Sequence, residues 1–281
     1  MPELPEVETV ANGVNERVRG ESIESAVFSK YKEPFKTDPD TMAAELAGKR
    51  IERVYRVGKH IVFDLTQKSG EAVTSQWIVH LGMTGRLLVC VAEVPVPPHT
   101  HGILHLASGR EVRFVDARRF GRMGLHGIDA GQKSAAGNGF QGPGREPLTI
   151  SLEDFVALFR GRKLAIKAAL LNQSLLHGVG NIYADESLFK AGIRPTRIAG
   201  RLSREQLLRL RTALQAVLKH AIKLGGSSVS DYVDADGVRG FFQLEHKVYM
   251  RGGEPCLVCE TAIRRVVLAG RSSHYCAKCQ K

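Results

Sequence analysis

The opening residues Met1-Pro2-Glu3-Leu4-Pro5-Glu6 place an imino acid directly behind methionine. Removal of Met1 would turn Pro2 into a secondary-amine N-terminus. An α-amino group has an ordinary pKa of about 7.7–8.0, against about 10.4 for lysine, so near neutral pH far more of it is an unprotonated nucleophile. Such an amine attacks an electrophilic carbon and forms an iminium intermediate. Glu3 and Glu6 lie beside it as acid/base partners. With Met1 retained, the same nitrogen is an amide and the protein would be inactive until processed. The plainer alternative is an ordered N-terminus whose glutamates enrich a first helical turn.

Further candidates follow along the chain. Lys59, in Arg56-Val57-Gly58-Lys59-His60, sits between two strand-like runs. Its ammonium suits a phosphate contact or proton donation, although a lone lysine is also an ordinary surface charge. Asp116-Ala117-Arg118-Arg119-Phe120-Gly121 reads as a turn after a strand, with two guanidiniums beside an aromatic ring. Phe120 would serve as a wedge between base steps and Arg118 would take an orphaned base edge, unless Phe120 is core and the arginines are surface. His80-Leu81-Gly82-Met83-Thr84-Gly85 forms a second loop, with Met83 as core filler or as a flexible apolar probe. In His99-Thr100-His101, strand alternation would aim both imidazoles the same way, for phosphate hydrogen bonding in preference to metal. Gly178-Val179-Gly180-Asn181 separates two helices and leaves the second with an N-terminus suited to phosphate, or is simply a tight connection. Arg160, Arg162, Lys163 and Lys167 add a basic face nearby.

Four of the five cysteines form two pairs, Cys256-x2-Cys259 and Cys276-x2-Cys279, sixteen residues apart. Two short turns at this spacing supply four thiolates to one tetrahedral zinc, as in zinc ribbons. Four thiolates leave no open position, which makes the metal structural. Arg264, Arg265 and Arg271 lie between the pairs, so the ribbon hairpin is expected to touch nucleic acid. Cys90, in the apolar run Leu87–Val91, is expected to be buried core.

The elements that must position these groups follow from the periodicity. Val7, Val10, Val14 and Val18 mark an amphipathic helix over 5–18, with Gly20 as a stop. From 22 to 128 short β-rich runs dominate (Ile51–Val57, Ile61–Leu65, Trp77–Leu81, Gly102–Leu106, Glu111–Val115), with turns at Ser69-Gly70 and Ser108-Gly109. This predicts an α+β, multidomain fold that begins with a helix-flanked β-sandwich over 1–128. The glycine-rich stretch 129–147 reads as a linker, and 148–240 as a helical domain. Its helices begin near Leu152, near Leu164 (ending near His177), at Asn181 (stopping at Gly192) and at Ser203, whose capping box is Ser203-x-x-Gln206. A polar loop covers about 226–242, and the ribbon occupies 243–281.

With 281 residues, 43% of them hydrophobic, the chain can fold as two domains with an appendage. Lys and Arg number 40 against 29 Asp and Glu, for a net charge of +11 and a pI near 9.6. That balance points to a polyanion, or to a merely solvated basic face. No apolar run is long enough for a membrane span, and no secretory signal is apparent, so a cytoplasmic location is expected.

Taken together, these segments resemble bacterial formamidopyrimidine-DNA glycosylases, the base-excision enzymes for oxidised purines. The resemblance rests on PELPEVET at 2–9, VGKH at 57–60, HLGMTG at 80–85, DARRFG at 116–121, GVGNIYADESLF at 178–189 and the cysteine pattern from 253 to 279. It implies a bilobal monomer with a helix–two-turns–helix motif and one structural zinc. Double-stranded DNA carrying 8-oxoguanine or formamidopyrimidines would bind between the lobes. By the same resemblance, Pro2 attacks C1′ of the damaged nucleotide and Glu3 donates a proton as the sugar ring opens. Lys59 donates a proton and holds phosphate during β-elimination, and Arg271 grips phosphates and assists δ-elimination. Met83, Arg118 and Phe120 fill the gap left by the everted base, with Arg118 facing the opposite cytosine. His99, Lys163 and Asn181 contact the backbone, and Cys256, Cys259, Cys276 and Cys279 hold the zinc. The implied location is bacterial cytoplasm, on the nucleoid.

Two departures are visible. The family's usual DPRRFG has Ala117 in place of its proline, and the loop from Gly226 to Phe242 matches only in general pattern. The nearest rival is an endonuclease VIII-type glycosylase for oxidised pyrimidines. A rival of another class is a non-catalytic zinc-ribbon protein that binds damaged DNA.

Overall fold

The computed structural model describes residues 1–31, 33–128, 139–228 and 232–281. Positions 129–138 of the expected linker and 229–231 of the expected covering loop lie outside the described residues. The chain divides into two compact units, Met1–Gln141 with Gly225–Gly240, and Gly142–Leu224 with Phe241–Lys281.

In the first unit, helix α1 (Leu4–Val18) buries the valine stripe read from the sequence, together with Leu4 and Ala11. Two antiparallel four-stranded sheets follow. One has the order β1-β6-β7-β5, from Ile23–Phe28, Thr100–Leu106, Arg110–Val115 and Arg86–Val91. The other has the order β2-β3-β4-β8, from Arg50–Val57, His60–Thr66, Ser75–His80 and Arg122–Gly127. A single apolar core joins residues of both sheets to α1 and to α2 (Pro39–Leu46). Three polar ties fix α1 and the returning segment on the sheets. The Arg56 guanidinium pairs with Glu8 at 2.6 Å, the Val54 N–H donates to Asn15 Oδ1 at 2.7 Å, and the Val89 N–H donates to the Ala235 carbonyl at 3.1 Å.

Some elements were not legible in the sequence. Strand β1 buries one residue fully, and β8 carries two glycines, so both form because neighbouring strands pair with them. Helix α2 did carry its start signal, Asp38 before Pro39, and the Asp38 carboxylate accepts the Thr41 N–H. Cys90 is half-buried, not core: its strand β5 buries Leu87 completely, but Cys90 lies toward the open end.

In the second unit, α3 (Leu152–Phe159), α5 (Asn181–Ala191) and α6 (Arg204–Lys223) follow the sequence reading. Gly192 terminates α5 with φ 69°, and the Ser203–Gln206 capping box is formed. Helix α4 (Ile166–Leu171) ends well before His177. Asn172 ends it: its side chain accepts the Ser174 N–H, and its carbonyl accepts those of Leu175 and Leu176. Two strands, β9 (Arg264–Leu268) and β10 (Arg271–Tyr275), make the ribbon hairpin.

A buried ionic cluster ties the helices to this hairpin. Lys167 Nζ lies 2.7 Å from Asp185 Oδ1 and donates to the Ser272 carbonyl at 2.7 Å. Asp185 Oδ2 accepts the His274 backbone N–H at 2.9 Å. Beside it, Glu186 accepts the backbone N–H groups of Lys247, Val248 and Tyr249, and burial pushes its carboxyl above the ordinary carboxylate range despite those bonds. Removing one partner of a buried pair strands the other charge. Asp185→Ala should therefore lower unfolding stability by about 3–5 kcal/mol, read from the denaturant midpoint.

Candidate active site and nucleic-acid interface

Pro2 and Glu3 are buried at the start of α1, while Met1 is half-exposed. Glu6 determines how this end is held. Its Oε2 accepts the Glu3 backbone N–H at 2.8 Å, and its Oε1 accepts the Ser227 N–H at 2.7 Å. The Tyr232 hydroxyl donates to the Glu6 carbonyl at 3.3 Å. Gly226, at φ 80°, lies so close that an added Cβ would fall 2.8 Å from Glu6 Oε1. Glu6 is thus the brace for its neighbours, a role that its spacing from Pro2 alone did not suggest. Burial pushes the Tyr232 phenol well above its ordinary range, with the Glu6 carboxylate adding to the effect.

Lys59 is nine-tenths buried and occupies, with Gly58, the two-residue turn between β2 and β3. Gly58 supplies the positive φ of 62° that this turn requires. Across the next pair, His60 stands opposite His80, with ring centroids 4.9 Å apart. His80 Nδ1 accepts the Gly82 N–H at 3.1 Å, so this imidazole is neutral in the folded protein. Burial, then the charges of His60, Lys59 and Arg122, lower its pKa from 6.5 to about 4.

The two expected contact loops meet at Asp116. Its Oδ1 accepts from Thr84 Oγ1 at 2.6 Å and from the Arg118 N–H at 3.3 Å, and its Oδ2 accepts the Gly121 N–H at 2.8 Å. Their backbones press together: a Cβ on Gly82 would lie 2.4 Å from Phe120 C and Gly121 N. The side chains expected to act as wedges point outward. Met83 is 41% and Phe120 47% exposed, too much for core residues of this size, and the Arg118 guanidinium stacks 4.7 Å from the Phe120 ring centroid. The histidine pair departs from alternation. His99 adopts φ 65° and is exposed, whereas His101 is buried. His101 Nε2 donates to the Asp116 carbonyl at 3.0 Å, leaving Nδ1 to accept from Ser29 Oγ at 3.1 Å. Desolvation lowers the His101 pKa, in keeping with this neutral tautomer.

In the second unit, Lys163 is exposed between α3 and α4. Asn181 opens α5 behind Gly180, and its Oδ1 is buried without a hydrogen-bond partner. Gln173, which the sequence did not mark, shapes the turn before it: its Oε1 accepts the Gly178 N–H and its Nε2 donates to the Val179 carbonyl. Arg271 is exposed at the tip of the ribbon, directly after a two-residue turn in which Ala269 and Gly270 both have positive φ.

The four ribbon thiols converge, with every Sγ within 4.8 Å of the others and the closest pairs 3.4 to 3.9 Å apart. A tetrahedral zinc with Zn–S near 2.3 Å needs sulfurs roughly 3.8 Å apart, which this cluster matches. The Cys279 N–H also donates to Cys276 Sγ, the kind of contact that orients a thiolate ligand. Cys256, Cys259, Cys276 and Cys279 hold one zinc, which supplies cross-linking and no reactive position.

The His80 environment generates a pH dependence. Its folded pKa lies below the unfolded value, so unfolded chains bind the proton first as pH falls. Its share of stability is intact above pH 6.5 and is lost between 6.5 and about 4. A histidine proton-NMR titration should place the His80 midpoint near 4. A midpoint near 6.5 would contradict the described burial.

Comparison with known proteins agrees with this geometry. Residues 1–123 match the formamidopyrimidine-DNA glycosylase N-terminal domain, 143–233 the formamidopyrimidine-DNA glycosylase H2TH domain, and 253–281 the zinc finger found in FPG and IleRS. The formamidopyrimidine-DNA glycosylase of Solibacter usitatus is 46% identical over the full length of both chains. A mutant Lactococcus lactis FPG, solved with a Fapy-dG containing DNA, superposes with a TM-score of 0.85 at 31% identity, covering 100% of each chain. The MutM (FPG) protein of Thermus thermophilus gives 0.82 at 37%, covering 99% of this chain and 98% of its own. The chain belongs to the formamidopyrimidine-DNA glycosylase family.

Proposed function

We propose that this protein is a bifunctional DNA glycosylase and AP lyase that removes oxidised purines, 8-oxoguanine and formamidopyrimidines, from duplex DNA. The observation that carries the reading is the braced N-terminus, Pro2 and Glu3 buried behind the Glu6 carboxylate in a chain of this family. A base inside a duplex is out of reach, so the damaged nucleotide must leave the stack and something must take its place. Met83, Arg118 and Phe120 fill that gap, with Arg118 toward the opposite cytosine. Their outward exposure supports this role.

Once Met1 is removed, the Pro2 nitrogen attacks C1′, the bond to the base breaks, and Glu3 donates a proton as the sugar ring opens. The resulting iminium acidifies the C2′ hydrogen, so the same attachment that releases the base also permits β-elimination of the 3′ phosphate. Lys59 donates a proton and holds phosphate during that step, and Arg271 assists the δ-elimination that follows. His99, Lys163 and Asn181 bind the backbone, Asn181 from a helix N-terminus. Residues 1–128 form the catalytic domain, 148–240 the helical DNA-binding domain, whose covering segment Gly225–Gly240 packs with the catalytic unit and not with the helices, and 243–281 the ribbon. No helix among the described residues is long and apolar enough to cross a membrane, and the net charge of +11 suits a DNA-bound enzyme of the bacterial cytoplasm.

Incubating the Met-processed protein with an 8-oxoguanine:cytosine duplex and sodium borohydride should give a covalent protein–DNA band, absent when Met1 is retained. A band only with oxidised pyrimidine would move the protein to the endonuclease VIII-type branch, and none with either would leave a DNA binder. Because zinc holds the hairpin that carries Arg271, Cys256→Ser should weaken duplex binding and nicking about tenfold or more while the rest of the chain keeps its unfolding transition. Undiminished nicking by that variant would refute the ribbon's role.

A further inference from the structure

Asp116 lies where three of the proposed DNA-contacting segments converge. Its side chain bonds Thr84, next to Met83, and the backbones of Arg118 and Gly121, which flank Phe120. Its backbone N–H donates to the His99 carbonyl at 3.0 Å, and its own carbonyl accepts the Arg119 N–H and the His101 ring. The residue is completely buried, yet among the described residues no cation pairs with its carboxylate, and the side-chain partners it has there are loop groups. With Ala117 next in the chain, the turn lacks the φ restraint that proline would provide. It nonetheless holds Arg119 at φ 54°, a conformation that a side chain other than glycine rarely adopts.

We propose that Asp116 is a positioning residue that locks the Met83 loop, the Arg118–Phe120 loop and His99 into one body, and thereby sets how strongly the protein discriminates the base opposite the lesion. The inference rests on the wedge reading of these loops given above. A carboxylate is needed because three donors converge on two oxygens. An amide keeps the shape but replaces one acceptor with an N–H₂ group that faces a donor. The wedge would then sample several poses, and the Arg118 edge contact would lose its fixed register.

The test is single-turnover excision from 8-oxoguanine:cytosine and 8-oxoguanine:adenine duplexes, with borohydride trapping on an abasic:cytosine duplex alongside. Asp116→Asn should reduce the cytosine-over-adenine rate ratio by roughly tenfold or more, the scale of a lost charge-assisted hydrogen bond. It should slow excision of a stacked base more than trapping at the abasic site. Thr84→Val should repeat the loss in smaller measure, and Thr84→Ser, which keeps the hydroxyl, should restore the ratio. A lowered melting temperature with an unchanged rate ratio in both Asp116→Asn and Thr84→Val would overturn the proposal and leave Asp116 as fold support only. A wild-type protein inactive on all three duplexes would instead overturn the glycosylase reading itself.

Discussion

One carboxylate governs the N-terminal end of this molecule, where the proposed nucleophile lies. Glu6 sits one helical turn after Glu3, and its two oxygens reach in different directions, one to the Glu3 backbone N–H and one to Ser227. An unpaired helix N-terminus would leave its first N–H groups to water and fray. Here the first turn is closed, so the residues before it have a defined place. The same side chain recruits a segment more than two hundred residues away, which explains why Gly225–Gly240 packs with the N-terminal unit. Tyr232 and Ala235 complete the attachment through the shared core.

The device recurs. Asp116 gathers the backbone N–H groups of one loop and the hydroxyl of another, Glu186 gathers three successive N–H groups ahead of the ribbon hairpin, and Asp185 holds the ribbon strand to α5. In each case a buried acidic side chain takes the place of water at backbone N–H groups. These acids are buried, whereas Arg118, Lys163 and Arg271 project outward, where a polyanion would meet them. Internal acids and external bases are therefore two sides of one arrangement.

Much of this was legible in the sequence. The valine stripe fixed α1, the capping box fixed the start of α6, Gly192 fixed the end of α5, and the cysteine spacing anticipated the converging thiols. The candidate positions were legible through motif resemblance: Met83 and Phe120 emerge exposed, and Lys59 occupies a tight turn. What escaped depends on tertiary context. Strand β8 needs its partner to overcome two glycines, and α4 ends early because Asn172 prefers to bond local backbone. His99 and His101 face differently because one residue turns left-handed before the strand begins. Nothing in the run Ala184-Asp185-Glu186 announces two buried carboxylates, since the backbone N–H groups they accept lie some sixty to ninety residues further on.

The central claim is that the braced Pro2 nitrogen is the atom that bonds to DNA. The most direct measurement is tandem mass spectrometry of the protease-digested, borohydride-reduced protein–DNA conjugate. The account predicts the sugar remnant on the N-terminal peptide that begins at Pro2, attached to its ring nitrogen. A remnant on the peptide carrying Lys59, or on any other lysine, would contradict it.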